Sequence, residues 1–462
     1  MIYTGKNFTV ILLSTPVLCY IIYSAIWWNI SERVILMNKF NSRELCPGVY
    51  LNSVPDGRFK TGKILVDMYL PLIEDTAAEN ALLIQLLGRC CERCPDYLSL
   101  NREMNSLYGA LLSTSCSKIG DFQQLSLSIS ALDDRYTLFG EKLSGKLIGL
   151  LCDLIFRPRL EGEAFVSEDV EQERRKLLET IQAEINEKRS YAISQCVKLL
   201  CEGDKVAVDK YGSAEAVSAL TPEQLYKAWI NLKQRALFNI TVVGELDVDF
   251  IGESFKAEIE KSPRQPYDKK ITPLVAADEI KEKTERQKVM QSKLVMGFSL
   301  DNKNNTRYSL KLMTLVLGGT PSSKLFLNVR EKKSLCYYCA ANNNSHKGYL
   351  LVDSGVEKQN IEQTREEILN QINEMKNGNI TDFEIEAAKL AMAQTCGMIT
   401  DSIGAMADFF AYQFFDDEIL TPEQRAEAIA SVTKDEIVKA ANSVELKAVY
   451  ILTGDDEEGE QQ

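Results

Sequence analysis

Histidine is almost missing from this chain: its 462 residues contain one, His346. A metal site built on two histidines of a single chain is thereby excluded. Positive charge is also short. Fifty-three Lys and Arg stand against 66 Asp and Glu, a formal net charge of −13. Phosphate backbones are bound by clustered Lys and Arg, so the balance argues against nucleic acid and is compatible with cationic peptides. A disulfide framework is missing too. The 12 cysteines are scattered, many among apolar residues as at Cys152 and Cys196, which reads as small core residues in a reducing cytosol. Two Cys-x-x-Cys pairs occur, Cys91/Cys94 and Cys336/Cys339. Together they could give four thiolates to a structural zinc, or one pair could be redox-active. They fall in different expected domains, and neither sits in a Gly/Lys-rich knuckle, so a core role is the expectation.

What is present supports a folded protein of some size. The chain is 45% hydrophobic, and its length suits two domains of about 200 residues each. Phe8 to Ile30 is nearly uncharged, with Trp27 and Trp28 near one end. Its length suits a bilayer span or uncleaved anchor, although Pro16 and sparse flanking charge count against that. The competing reading starts the protein at Met37 and treats the first 36 residues as an over-extension of the gene. A cytoplasmic location follows from the second reading, and a membrane anchor through residues 8–30 from the first.

The rest reads as a diverged duplication. Asp169–Leu177 (DVEQERRKL) echoes Asp382–Leu390 (DFEIEAAKL), Leu98–Asn101 echoes Leu325–Asn328, and Asn239–Glu245 echoes Val449–Asp455. Three matches in one order imply duplicated domains rather than a solenoid. Each half mixes both kinds of element. Lys63–Leu72 and Gln123–Ser130 alternate like half-buried strands. Thr76 and Glu79 form a capping-box pattern before a helix carrying Leu82, Leu83, Leu86 and Leu87. Thr137–Ile155 and Ser167–Arg189 read as helices. In the second half, strands are expected at Ser292–Leu300 and Tyr349–Ser354, and a helix at Glu362–Met375. The expected domains are 37–255 and 287–454. A charged, proline-bearing linker at 256–286 joins them, and an acidic tail at 455–462 follows.

The most specific segment is Leu317–Tyr338, LGGTPSSKLFLNVREKKSLCYY. Gly318 and Gly319 end an apolar run, and Pro321 suits the first position of a new helix. Leu325, Phe326 and Val329 are spaced for a buried face, and Arg330 stands seven residues before Tyr337. This order resembles the substrate-clamping segment of pitrilysin/insulinase-type metallopeptidases. The resemblance runs from Met37 to about Gly454. It implies an α+β fold of two homologous domains of the LuxS/metallohydrolase-like type, each a mainly antiparallel sheet packed with helices, in a clam-shell arrangement.

The family's active members carry His-x-x-Glu-His on the helix after the first strands, two imidazoles for zinc and a glutamate to activate water. Aligned through Leu107-Tyr108-Gly109, which stands for the family's Leu-Gly-Gly, this chain has Leu83 and Leu87 at the histidines and Leu86 at the base. The third ligand position falls on Thr180. Glu179 beside it points about 100° away around the helix. His346, in NNNSHKG, is expected in an exposed hairpin turn. The resemblance therefore implies a chain without metal or catalytic residues of its own. It keeps Arg330 and Tyr337 for holding peptide carbonyls, and Gly318 and Gly319 for close backbone approach. It looks most similar to the YfmF-like group, whose name is linked to 5-aminopentanol modification of elongation factor EF-P. The implied role is the non-catalytic subunit of a two-component zinc peptidase, with zinc in a sister subunit and a peptide as substrate. A non-enzymatic scaffold and a peptide-binding homodimer are the alternatives.

Overall fold

The computed structural model describes residues 40–275 and 279–454. The first sheet contains β1 (Asn41–Cys46), β2 (Val49–Val54), β3 (Thr61–Pro71), β4 (Leu111–Ile119), β5 (Phe122–Leu132) and β6 (Leu237–Val243), in the order β1-β2-β6-β3-β5-β4. The second contains β7 (Lys281–Arg286), β8 (Ser292–Ser299), β9 (Cys336–Asn344), β10 (Tyr349–Val356) and β11 (Glu445–Thr453), in the order β7-β11-β8-β10-β9. Without the edge strand β1 the two sheets share one order and one set of directions. β2 runs parallel to β6 and β7 to β11, and every other pairing is antiparallel. The duplication legible in three short sequence echoes is thus a duplication of topology.

The first half carries helices α1 (Glu74–Leu87), α2 (Tyr97–Ser106), α3 (Leu143–Phe156), α4 (Ser167–Asn186), α5 (Lys188–Leu200), α6 (Ala214–Ala219), α7 (Pro222–Arg235) and α8 (Val248–Ile259). The second carries α9 (Arg307–Thr314), α10 (Ile361–Lys376), α11 (Asp382–Ile399), α12 (Ile403–Tyr412), α13 (Pro422–Ala430) and α14 (Lys434–Asn442). Leucines of α1 and α3 pack on Ile64, Val66, Leu127 and Ile129 to make the first core. Leu310, Leu325, Ile368 and Ile372 pack on Met296, Phe298 and Val352 to make the second.

Each half also lends a helix to the other. Ala192, Cys196 and Leu200 of α5 lie on Val295, Ala448 and Tyr450 of the second sheet. Met406, Ala407 and Phe410 of α12 lie on Val54, Leu65 and Val243 of the first. Each large apolar side chain so buried contributes roughly 1.5–3 kcal/mol. Tyr69 stacks on Phe414 at 4.8 Å and Phe122 on Phe415 at 4.7 Å just past α12.

The exchange is pinned by charge. Lys347, in the β9–β10 turn, is fully buried. Its ammonium donates to Asp121 Oδ1 at 2.6 Å, Asp204 Oδ2 at 2.8 Å and the Thr272 carbonyl at 2.7 Å. Asp121 lies in the β4–β5 turn of the first sheet, Asp204 follows α5, and Thr272 belongs to the segment between the halves. Next to Lys347, His346 Nε2 stands 3.2 Å from Asp416 Oδ1, and Asp416 also holds Arg307. Burial alone would raise the Asp121 and Asp416 carboxyls. Lys347 and Thr272 around the first, and His346 and Arg307 around the second, hold both below the ordinary value.

Several sequence expectations are corrected. His346 does sit in the hairpin turn but its side chain is only 8% exposed, with its ring edge-on to Tyr412 at 5.1 Å. The helix expected from Thr137 starts at Leu143, because Gly140 adopts φ +74 and Leu138 turns into solvent. The Thr76/Glu79 capping box is not formed, since α1 starts at Glu74 with Ile73 at its N-cap. The helix expected to reach Arg189 breaks at Glu187, whose carboxylate caps α5 through Ser190 N–H at 2.6 Å. That break is what turns α5 toward the other sheet. Residues 256–259 of the expected linker finish α8, and Lys281–Arg286 form β7 inside the second sheet. The apolar stretch 8–30 and the acidic tail lie outside the described residues. Among the described residues no helix is long and apolar enough to cross a membrane.

Lys347→Ala leaves the buried Asp121 and the half-buried Asp204 without their counter-ion and is expected to cost about 3–5 kcal/mol in urea unfolding. Neutralising them as well, in Lys347→Met/Asp121→Asn/Asp204→Asn, is expected to recover part of that loss. Acid acts on the same contacts. The Asp121 and Asp416 pairs stabilise fully above the unfolded carboxylate pKa of about 3.9. Stability is then lost as pH falls through their lower folded values, which a melting series from neutral pH to about pH 2 reads directly.

Candidate substrate-clamp site

The clamp segment is shaped by two wide-turn helices and a bulge. α9 runs on into a π-helical turn, Leu315–Gly319, and a second π-helical segment spans Leu325–Lys332. Such turns are rare and recur at functional sites. Pro321 therefore lies in the turn between them rather than at the first helical position. Leu325 and Val329 face the core as expected, but Phe326 is only half-buried. Its ring supports the Arg330 guanidinium at 4.6 Å.

Past Lys333 the chain reverses at Ser334, whose φ of 52 is left-handed, a conformation that costs an L-residue about 1–2 kcal/mol. β9 then begins with a register shift: Cys336 pairs with Val356 and Tyr338 with Gly355. Tyr337 is the extra residue. It leaves the ladder and stands 59% exposed, as a bulged residue beside a site does. Arg330 and Tyr337 consequently line one pocket of about 380 Å³ with Glu331, Ser334, Cys336 and Glu357.

Both clamp side chains are held loosely. Arg330 Nε is 3.5 Å from Glu331 Oε1. The Tyr337 hydroxyl donates to Glu357 Oε1 at 3.0 Å, and that carboxylate pushes the phenol's pKa up. Neither contact is buried, so both can be exchanged for a ligand's carbonyls at little cost. The same bulge turns Cys336 inward beside Cys339, in the second core. The Cys336 thiol is held below its ordinary value by Cys339 and then by Arg330, against the effect of burial. Cys91 and Cys94 belong to the first core, so the two pairs do not share a zinc. Among the described residues no group of three or more His, Cys, Asp or Glu is placed to hold a metal.

Gly318 serves the chain's own packing. A Cβ there would stand 2.8 Å from the Ala341 backbone nitrogen, so the glycine lets the π-turn touch β9 and leaves no room for a ligand. Gly319 is exposed.

The degenerate zinc positions part company. Leu83, Leu86 and Leu87 are buried in the first core, and their hydrocarbon chains offer no lone pair to a cation. Thr180 is exposed, and its hydroxyl donates back to the Lys176 carbonyl at 2.9 Å. The buried carboxylates on that helix, Asp169 and Glu173, are both paired: Asp169 with Arg89 at 2.8 Å and Arg159 at 3.3 Å, Glu173 with Arg89 at 2.8 Å and Lys176 at 2.8 Å. These residues do not fit a zinc ion. Tyr108, at a glycine position of the family pattern, keeps the left-handed backbone with φ 60. Its hydroxyl donates to Glu141 at 2.9 Å.

Sequence reasoning missed Ser334, Glu357 and the Phe326 platform. Glu357 reaches Tyr337 only through the β9–β10 pairing, for which no local signal exists. Leu83→Ala is expected to cost about 2–5 kcal/mol and Thr180→Ala less than about 0.5 kcal/mol. A chemical denaturation series that reversed that order would contradict the burial described.

Residues 219–392 match the Peptidase M16 inactive domain. The chain is 30% identical over 416 residues to a probable inactive metalloprotease, YmfF, of Bacillus subtilis strain 168, covering 88% of this chain and 96% of that one. Among solved structures, a conserved protein from Enterococcus faecalis V583 superposes with a TM-score of 0.83 at 25% identity, over 91% of this chain and 100% of that one. An M16 inactive domain from Pseudomonas fluorescens superposes at 0.73 with 16% identity, over 90% and 99%. With leucine at every histidine position, this chain belongs to the M16 (pitrilysin/insulinase-type) peptidase family as a member without the zinc site.

Proposed function

We propose that this chain is the substrate-clamping, non-catalytic subunit of a two-component zinc peptidase acting on peptides or small proteins. The observation that carries the reading is an asymmetry. Leu83, Leu86 and Leu87, at the histidine and base positions, are sealed in hydrocarbon, while a strand bulge holds Tyr337 out of its sheet beside Arg330. A side chain with no role in the chain's own packing is being presented to something else. Arg330 has a planar fork of donors, and the Tyr337 hydroxyl is a further donor, so the pair suits carbonyl oxygens of an extended peptide. Chemistry on that peptide needs a zinc-activated water, which a zinc-bearing sister subunit of the same family would supply across the closed cavity. The described cysteines are all free thiols, which supports a reducing, cytoplasmic setting. EF-P modification is the process in which the resemblance suggests looking for the substrate.

The test is reconstitution with a zinc-bearing M16 partner. Arg330→Ala and Tyr337→Phe are each expected to lower kcat/KM of the complex by roughly 10²-fold, with melting temperature and zinc content unchanged. Full activity in both variants would remove the clamp assignment. A partner equally active without this chain would make the chain a scaffold.

A further inference from the structure

A second pocket lies away from the clamp, at the tip of the β9–β10 hairpin. It has a volume of about 260 Å³ and is lined by Arg307 and Lys311 of α9, Arg425 of α13, Asn343, Ser345 and Asp416. Asp416 is the one acid in this lining, and Arg307 and His346 already occupy it. Lys311 and Arg425 have no hydrogen-bond or ion-pair partner for their side chains among the described residues. The Arg425 guanidinium is stacked on the Phe409 ring at 4.3 Å, which orients its plane and leaves its edge of N–H donors open. Asn343 Oδ1 is buried without a partner. An amide can be turned over to present its NH2 instead.

Two half-buried cations facing one cavity without an ion-pair partner of their own are costly. Burial lowers the pKa of both groups, Asp416 offsets part of that at Arg425, and Arg425 lowers that of Lys311 further. In a chain of net charge −13, the one acid in this lining is Asp416, and Arg307 and His346 already hold it. An oxyanion would relieve the repulsion and accept charge-assisted hydrogen bonds from both groups, which are about twice as strong as neutral ones. We propose that this cavity is a binding site for a small oxyanion, a phosphate or carboxylate group held by Lys311 and Arg425. Two sources share that chemistry: a free phosphate, or the terminal carboxylate of a peptide.

The test titrates inorganic phosphate into the full chain by calorimetry, with Lys311→Gln and Arg425→Gln in parallel. Saturable binding is expected in the unaltered protein. Each variant should bind roughly tenfold more weakly, the loss of one charged hydrogen bond. Phosphate also stabilises proteins by exclusion from their surface, so a rise in melting temperature that is equal in all three proteins, or no saturable heat, overturns the site. A readout on the unaltered protein guards against variants that fail to fold. Phosphate should protect the Lys311 amine from an amine-reactive reagent, followed by mass spectrometry, while exposed lysines react as before, and unchanged labelling overturns the proposal. Competition by a peptide with a free C-terminus but not by its amide would identify the carboxylate source, and competition by neither the phosphate source.

Discussion

Each half of this protein packs a helix against the other half's sheet. α5 and α12 leave the halves that encode them and close the opposite sheets. The other packing relations follow from that exchange, and the buried Lys347 contact pins it where the two equivalent hairpin turns meet. A fully buried ammonium tolerates no loose geometry, because displacing either carboxylate strands a charge in a medium that solvates it poorly. The contact therefore acts as a registration point. It lets the two halves dock in one arrangement, and the hydrophobic faces supply most of the stabilisation.

The proposed clamp depends on irregular backbone geometry. Arg330 and Tyr337 belong to different elements, a π-helical segment and the first residues of β9, and their convergence depends on a left-handed serine and one extra residue in the ladder. Irregularities of this kind persist where the surrounding structure over-determines them. Here the surroundings are the second core, with Leu325, Val329, Cys336 and Cys339 packed beneath. The zinc positions show the opposite history. Leu83, Leu86 and Leu87 are not empty places in a binding site but parts of the first core, so the loss of the metal has been absorbed into packing.

Much of this was legible in the chain. Strand alternation placed β3, β5, β8 and β10 within a residue or two, and the clamp motif pointed to the pocket. What was misjudged depended on partners remote in sequence. His346 was expected in solvent because it lies between asparagines and a glycine, but Asp416 and Tyr412 close over it from α12 and beyond. β7 was expected to be linker because it ends a densely charged stretch that follows two prolines. It is an edge strand held parallel to β11, and an edge needs only one buried neighbour. Gly318 was expected to serve a ligand, since local sequence shows that a glycine is needed but not what approaches it.

The sequence by itself determined the residue chemistry: a single imidazole, leucines where the two histidines and the base would stand, and an arginine and a tyrosine seven residues apart. Those facts hold in any conformation, because no fold gives a leucine a lone pair. Only the tertiary structure decided which residues meet. It exchanged two helices between the halves, buried Lys347 and covered the His346 ring, lifted Tyr337 out of its sheet, and left Lys311 and Arg425 facing a cavity without ion-pair partners of their own. Each of these outcomes rests on burial and long-range pairing, which are properties of the packed chain and not of any segment of it.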